Sequence, residues 1–320
     1  MKRPRNLILD DLVYLSVRLV DALAQMLTIE QSYALADALA ALIYRVDRRH
    51  RLVGIDNLRV AFGDRYDARE RDQLVRGVYQ HFCRMVIEML HIPRKLNLYN
   101  WRSYITLVGH EPVIERLLRG GPLVMLTGHY GNWEMAGYLF GLFGFPPNSV
   151  ARTLDNARLD AFLRSFRERT GQKLIAKSGG YDEMLAVLRE GRVLSFLADQ
   201  DAGQRGLYVD FFGRPASTHK AIALLALEHR APVVVGYARR IGPGFRYEVG
   251  CLDVIEPEEW QGTADDVRLL TQRYTTALES IIRERPEQYL WLHRRWKHQP
   301  KAKSAAAAGR APSTDTPQLA

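Results

Sequence analysis

The stretch that most constrains this chain is the apolar run Pro122-Leu123-Val124-Met125-Leu126-Thr127, which leads directly into Gly128-His129-Tyr130-Gly131-Asn132-Trp133-Glu134. An uncharged run that meets two closely spaced glycines reads as a buried strand ending in a turn. Met135-Ala136-Gly137-Tyr138-Leu139-Phe140 then resumes apolar character without proline, which reads as a helix. His129 therefore sits at a strand tip. On one continuous helix, His129 and Glu134 would lie about 140° apart at roughly 100° per residue, too far to pair. With His129 in the turn and Glu134 one turn inside the helix, the imidazole can fold back to meet the carboxylate. That contact would fix the ring tautomer and support the charge formed when the other nitrogen takes a proton. An ordinary strand-to-helix loop, with Tyr130 and Trp133 as packing and Asn132 as a turn former, fits the same spacing.

Further short apolar runs at Ile105–Gly109, Asn148–Arg152, Lys173–Ala176, Val193–Ala198 and Pro232–Tyr237 alternate with helical segments near 111–119, 156–170, 181–190 and 217–230. That alternation predicts an α/β fold with a mostly parallel or mixed sheet covered by helices. Arg246–Ile255 is expected as an antiparallel edge strand, and 265–284 as a last long helix. The helix expected over 67–91 begins at Asp67 and carries Glu88 close to its apolar face. A buried carboxylate there needs a partner, and a solvated one needs none.

Residues 8–47 are rich in Leu, Ala and Val but broken by charge. Leu12, Leu15, Leu19, Leu23 and Met26 fall on one side of a helix, and Asp11, Tyr14, Arg18, Asp21 and Gln25 on another. Arg18 and Asp21 at mid-bilayer would each cost about 2.5–3.5 kcal/mol, so the stretch is amphipathic and not spanning. A second helix over 31–46 ends in the basic cluster Arg45 to Arg51. Two readings stand for this hairpin: a layer packed on the protein's own core, or a monotopic patch on an anionic membrane. The expected organisation is a membrane-associating helical hairpin over 1–50, a catalytic domain over 51–300, and a disordered tail over 301–320 with no packing pattern.

The net charge of +9 calls for an anionic partner: nucleic acid, an acidic lipid surface or an acidic carrier protein. No zinc-finger or RNA-recognition signature is present and the basic residues are scattered, so nucleic acid is not expected. Cys83 and Cys251 stand in apolar surroundings without metal-ligand spacing and read as reduced core thiols. No cationic leader with an apolar core opens the chain, and a reducing cytoplasmic setting fits. Asp199 and Asp201 follow a strand with the spacing of a weak metal motif, yet no metal and no cofactor is expected. Trp291 and Trp296 flank a basic cluster and suit either a membrane interface or the rim of a core.

Thr127 to Glu134 resembles the signature of the late lipid A acyltransferases, a branch of the glycerolipid acyltransferase superfamily. Arg152-Thr153-Leu154-Asp155-Asn156, Ala198-Asp199-Gln200-Asp201-Ala202-Gly203, Phe211-Phe212-Gly213-Arg214-Pro215 and Pro286 to Arg295 fall in that family's order, over about residues 50–297. The resemblance implies transfer of a fatty acyl group from an acyl carrier protein or acyl-CoA thioester to a hydroxyl of a lipid A precursor or related glycolipid. Under it, His129 is the general base and Glu134 its orienting carboxylate. Arg152 and Arg167 are candidates for holding the phosphate of the lipid acceptor, and Asn132 for contacting substrate. It points to a structural or substrate-shaping role for the Asp199 loop. The Gly-Thr-Arg segment of the glycerolipid branch is absent. Relatives often carry a clearer N-terminal membrane helix than this chain does; its expected place is peripheral or monotopic on the cytoplasmic face of the inner membrane. No Gly-x-Ser-x-Gly elbow occurs, consistent with direct attack on the thioester. The alternatives are a hydrolase using the same dyad on water, and acylation of a different membrane lipid.

Overall fold

The uncharged run becomes the strand Leu123–Thr127 near the middle of a seven-stranded sheet, as its lack of polar alternation requires. The structure, a computed structural model, describes residues 7–259, 262 and 265–300. Four helices come first: Leu7–Met26 (α1), Ile29–Val46 (α2), Arg48–Phe62 (α3) and Ala68–Lys95 (α4). The α/β part opens with Ile105–Val108 (β1), Glu111–Arg119 (α5), Leu123–Thr127 (β2), Trp133–Leu142 (α6), Asn148–Ala151 (β3) and Ala157–Arg167 (α7). Lys173–Ala176 (β4), Tyr181–Arg189 (α8) and Val193–Leu197 (β5) follow. The chain then forms the hairpin Leu207–Phe211 (β6) and Arg214–Thr218 (β7), and closes with Ala221–Glu228 (α9), Val233–Arg240 (β8), Tyr247–Ile255 (β9) and Asp266–Glu284 (α10).

The strand order is β1-β9-β8-β2-β5-β3-β4. Strands β8, β2, β5, β3 and β4 run parallel, while β9 returns antiparallel to β8 and carries β1 parallel beside it. The mixed α/β class agrees with the sequence reading. β9 is antiparallel as expected but is not the edge, because β1 pairs along its outer side and takes that place. The β6–β7 hairpin was not foreseen; its second strand occupies the first residues expected as helix before α9.

Side chains of β2 alternate between two cores. Val124 and Leu126 pack with Met184 and Leu188 of α8, Ala223 of α9 and Leu278 of α10. Leu123 and Met125 face the opposite side, toward Val113 of α5 and Phe140 of α6. The period of two thus lets one uncharged strand serve both faces.

The helical preface is bonded to this body. Thr28 and Gln31 form a reciprocal capping box at the start of α2. Arg94, near the end of α4, donates to the carbonyls of Ala24, Gln25 and Leu27, which α1 leaves open at its C-terminus. Arg84 holds Asp37 through two bonds of 2.7 and 2.6 Å. Ala24, Ile29 and Tyr33 share a core with Met135 and Leu139 of α6. The outward side of α1 stays apolar: Ile8, Leu12, Leu15, Leu19 and Met26 are all exposed, Met26 at 82%. Among the described residues, no helix is long and apolar enough to cross a membrane. The tail expected to be disordered, 301–320, lies outside the described residues. Trp291 and Trp296 are buried in an aromatic core with Phe62, Phe211 and Phe212, not placed at an interface.

Candidate active site

The parallel register of β2 and β5 builds the site. Thr127 stands opposite Leu197, and Ala198 N–H donates to the Thr127 carbonyl at 2.9 Å. Two residues further along each chain, His129 and Asp199 therefore meet across neighbouring strand tips. His129 Nδ1 lies 2.7 Å from Asp199 Oδ1, and the His129 backbone N–H donates to Asp199 Oδ2, also at 2.7 Å. A carboxylate accepts only, so this contact places the ring proton on Nδ1 and leaves Nε2 unprotonated as an acceptor. Gln200 Nε2 donates to that nitrogen at 3.3 Å.

Asp199 is buried, and burial alone would raise its carboxyl. The charge and hydrogen bonds of His129, with the more distant Arg295, outweigh burial and hold it below the ordinary 3.8. Its companion Asp201 is bound at Oδ2 by His298 Nδ1 at 2.6 Å, and the Asp201 N–H donates to His293 Nε2 at 3.1 Å. The two aspartates of the D-x-D stretch thus each engage a histidine.

Glu134 does not orient His129 by direct contact. It is the second residue of α6, and its side chain turns toward α7, where Arg167 binds it through Nε at 2.9 Å and Nη2 at 2.5 Å. Trp133 Nε1 donates to the same carboxylate at 2.9 Å, and the Trp133 ring stands edge-on to the His129 ring with centroids 5.0 Å apart. The backbone accounts for this divergence. The turn between His129 and α6 passes through Gly131 at φ +61°, and the helix begins only at Trp133, so the two side chains never share a helix face. Trp133 links Glu134 to the imidazole.

The same pairing alters the reading of Arg167. Its guanidinium binds Glu134 through Nε and Nη2, with a side chain 17% exposed at the cavity wall. Arg152 pairs with Asp155 at 3.2 Å, and at 76% exposure both its fork and its environment are open to solvent. Asn132 is fully buried. It caps α6 by accepting from Met135 N–H at 2.9 Å and donates to Glu88 Oε2 at 3.0 Å.

Beneath the turn lies a buried polar network that the sequence left open at Glu88. Glu88 is 0% exposed and accepts from Arg240 Nε at 2.6 Å, Arg240 Nη2 at 2.9 Å and Tyr33 Oη at 2.8 Å. His81 Nε2 reaches the Gly131 carbonyl at 3.0 Å, while its Nδ1 meets Arg240 at 3.1 Å. Burial and the Arg240 charge push His81 down to about 3, so it stays neutral. The rest of the turn is bonded in turn: Gly131 N–H to Gln288, Asn132 N–H to Ala238, and Leu290 N–H to the His129 carbonyl. Gly131 is needed there, since its φ is +61° and a Cβ would lie 2.0 Å from the Ala238 carbonyl oxygen. The amides of His129, Gly131 and Asn132 are all committed, which removes them as donors to an oxyanion.

His129, Trp133 and Gln200 line a cavity of about 1920 Å³ between the sheet and helices α5, α6 and α7. Its walls are mostly apolar, with Met125, Val234 and Cys251 from the strands and Val113, Leu117 and Phe140 from the helices. Burial pushes the Cys251 thiol up to about 11, as it does Cys83, so neither is a thiolate nucleophile at neutral pH.

The mixed α/β fold thus sets a histidine–carboxylate pair at a strand tip, opening on a large, mostly apolar cavity. The chain belongs to the bacterial lipid A biosynthesis acyltransferase family, whose sequence profile matches residues 4–298, and it is an acyltransferase. It is 23% identical over 239 residues to a lipid A biosynthesis acyltransferase of Haemophilus influenzae, covering 74% of this chain and 72% of that one. It is 26% identical over 231 residues to a phosphatidylinositol mannoside acyltransferase of Mycobacterium tuberculosis, covering 70% and 71%. It is 25% identical over 254 residues to the lipid A biosynthesis myristoyltransferase of Escherichia coli, covering 78% and 75%.

The acid side of the stability profile follows from these environments. His219 and His91 are pushed to about 4 and His81 to about 3, each chiefly by burial, so the unfolded chain binds their protons first. Stability should fall as pH drops below about 6.5. The Asp199 contribution has its own window: it is fully present above the unfolded carboxyl value and lost as pH falls through the lower folded one. Thermal unfolding between pH 7 and 3 should therefore show the same histidine-dependent decline in wild type and Asp199→Asn, with an additional drop below about pH 4 in wild type alone.

Proposed function

We propose that this acyltransferase moves a fatty acyl group from an acyl carrier protein or acyl-CoA thioester to a hydroxyl of a lipid A precursor or related glycolipid, with His129 as general base. The observation that carries this reading is His129 at the wall of an apolar cavity, with Nδ1 tied to Asp199 and Nε2 unprotonated. Nε2 takes the acceptor hydroxyl proton as the oxygen attacks the thioester carbonyl. The tetrahedral intermediate then expels the thiolate, which recovers the proton from the imidazolium. Asp199 supports the transient positive charge. Gln200 is the nearest side-chain donor for the oxyanion, given that the turn amides of His129, Gly131 and Asn132 are already bonded. Glu134 positions His129 indirectly, by holding the Trp133 ring against it.

Attachment to the cytoplasmic face of the inner membrane fits the outward surface of α1. Its exposed leucines form one stripe, and Arg45, Arg48 and Arg49 stand exposed at the junction of α2 and α3. Apolar side chains enter the acyl boundary while guanidinium groups meet anionic headgroups. In this arrangement residues 1–50 are the membrane-associating layer of the catalytic domain.

Two experiments test the proposal. His129→Ala and Asp199→Asn should each lower kcat for acyl transfer by about 10²–10⁴ in folded, purified enzyme. Lipid mass spectrometry of cells with and without the active gene should reveal one missing acyl chain on the acceptor. Near-normal transfer by His129→Ala removes the base; release of free fatty acid without an acylated lipid establishes the hydrolase instead. For the membrane, Leu15→Glu combined with Leu19→Glu should weaken sedimentation with anionic vesicles by roughly tenfold or more. Unchanged vesicle binding would assign the stripe no role.

A further inference from the structure

We propose that Ser149, Ser195 and Gln172 form a subsite, deep in the cavity that contains His129, for a hydroxyl group carried partway along the acyl chain. The proposal rests on the reading that this cavity takes the acyl chain of the donor; the subsite itself is argued from sheet register and hydrogen-bond capacity.

Val234 of β8, Met125 of β2, Ser195 of β5, Ser149 of β3 and Leu174 of β4 are successive partners across the sheet, and all five line the cavity. The row is apolar at both ends and polar at its centre. Both serines are half-buried although β5 and β3 each have a strand on either side, so their side chains open on the cavity. Gln172, the residue before β4, is 7% exposed and donates from Nε2 to Ser149 Oγ at 2.7 Å. Ser149 Oγ in turn lies 2.6 Å from Ser195 Oγ. Helix α6 is shaped to admit the amide: a Cβ on Gly137 would lie 2.9 Å from Gln172 Oε1.

Counting hydrogens shows that this cluster is incomplete. The two serines supply two hydroxyl hydrogens, and one is used between Ser149 and Ser195 whichever residue donates. The other has no acceptor among the described residues, and Gln172 Oε1 has no donor among them. A cross-strand serine pair strengthens a sheet, but that role leaves the second hydrogen unspent. One donor and one acceptor thus remain at the wall of a mostly apolar cavity, where a polar group without a partner is costly. An alcohol hydroxyl is their complement, with one hydrogen to give and lone pairs to receive. A methylene offers neither, a carbonyl accepts but cannot donate, and an anion would meet three neutral side chains.

The register also fixes the depth. Ser195 stands level with Met125, and His129 follows Met125 by four residues. At about 3.3 Å per residue the serine row lies about 13 Å below the imidazole. An extended hydrocarbon of C–C bonds near ~1.5 Å advances about 1.25 Å per bond along its zigzag. The row therefore meets an acyl chain at roughly carbon 8–12, counted from a carbonyl held at His129. A hydroxyl at carbon 2 or 3 would stay beside the reacting carbonyl and miss the subsite. Occupancy of the subsite contributes binding and discrimination between chains, not chemistry.

The test uses the full-length enzyme and two arms. In the first, calorimetry compares the binding of free tetradecanoic acids that carry one hydroxyl at about carbon 2, 3, 8, 10 or 12. These isomers share the same desolvation, so position alone separates them. Wild type should bind one of the interior isomers about fivefold more tightly than those substituted beside the carboxyl. Ser195→Ala should erase that difference, and Ser195→Thr, which keeps a hydroxyl on a side chain suited to a strand, should retain most of it. Each figure is a ratio of two ligands on one protein, so a loss of folded enzyme cancels. This arm needs no turnover and stands even if His129→Ala retains activity. The second arm measures kcat/KM for the corresponding acyl thioesters with one acceptor, where wild type should prefer the same isomer and Ser195→Ala should not. Selective binding without the matching preference in turnover would reject this cavity as the place of the reacting chain while leaving the subsite intact. Equal affinity of wild type for all isomers would mean that water alone meets the spare hydrogen and would overturn the proposal. An interior preference that survives Ser149→Ala combined with Ser195→Ala would overturn it as well.

Discussion

The whole site depends on the register between two parallel strands. Pairing Thr127 with Leu197 fixes where β2 and β5 end, and the residues two places beyond, His129 and Asp199, meet because both chains leave the sheet in step. A slip of one residue would turn every β2 side chain to the other face, exchanging Val124 and Leu126 for Leu123 and Met125 in cores of different shape. The apolar packing that sets the register therefore also sets the ring tautomer. Fold stability and proton chemistry rest on the same contacts.

The turn that carries His129 is then locked from below. Glu88 and Arg240 form an ion pair with side chains 0% and 7% exposed, an arrangement that costs desolvation and is tolerated because Tyr33, Asn132 and His81 satisfy the remaining positions. Tyr33 belongs to α2, so the network joins the helical preface to the catalytic turn through a single carboxylate. Helix α2 and the turn that carries His129 are thereby held to the same buried group.

Much of this was legible in the sequence. The apolar runs and the glycines placed β2, β3, β4, β5 and β8 and the helices between them, because uncharged runs of strand length have few alternatives in an α/β chain. Asp67 announced α4 by its capping box with Glu70. His129 was legible from its place after β2. Its carboxylate partner was not, because proximity in sequence favoured Glu134 while the true contact spans 70 residues. The available signal was topological: Asp199 follows an apolar run of the same length as the run before His129, and neighbouring parallel strands bring such positions together. Asn132 and Glu88 were ambiguous for a common reason, since a residue's burial depends on what packs over it, and the covering groups, Arg240 and Tyr33, are remote in the chain. The pairing of Arg167 with Glu134 was not legible either, because it joins two helices 33 residues apart in the chain. Gly-rich loops and strand ends were readable one at a time; the approach of Lys177 to His219, 42 residues apart, required the strand order.

The central claim is that Asp199, and not Glu134, sets the tautomer of His129. The most direct measurement is NMR of the enzyme labelled with ¹⁵N-histidine, comparing wild type, Glu134→Gln and Asp199→Asn at neutral pH. The account predicts a protonated Nδ1 with a strongly hydrogen-bonded, downfield proton on His129 in wild type and in Glu134→Gln, and loss of that signal in Asp199→Asn. Persistence of the signal in Asp199→Asn with its loss in Glu134→Gln would contradict it.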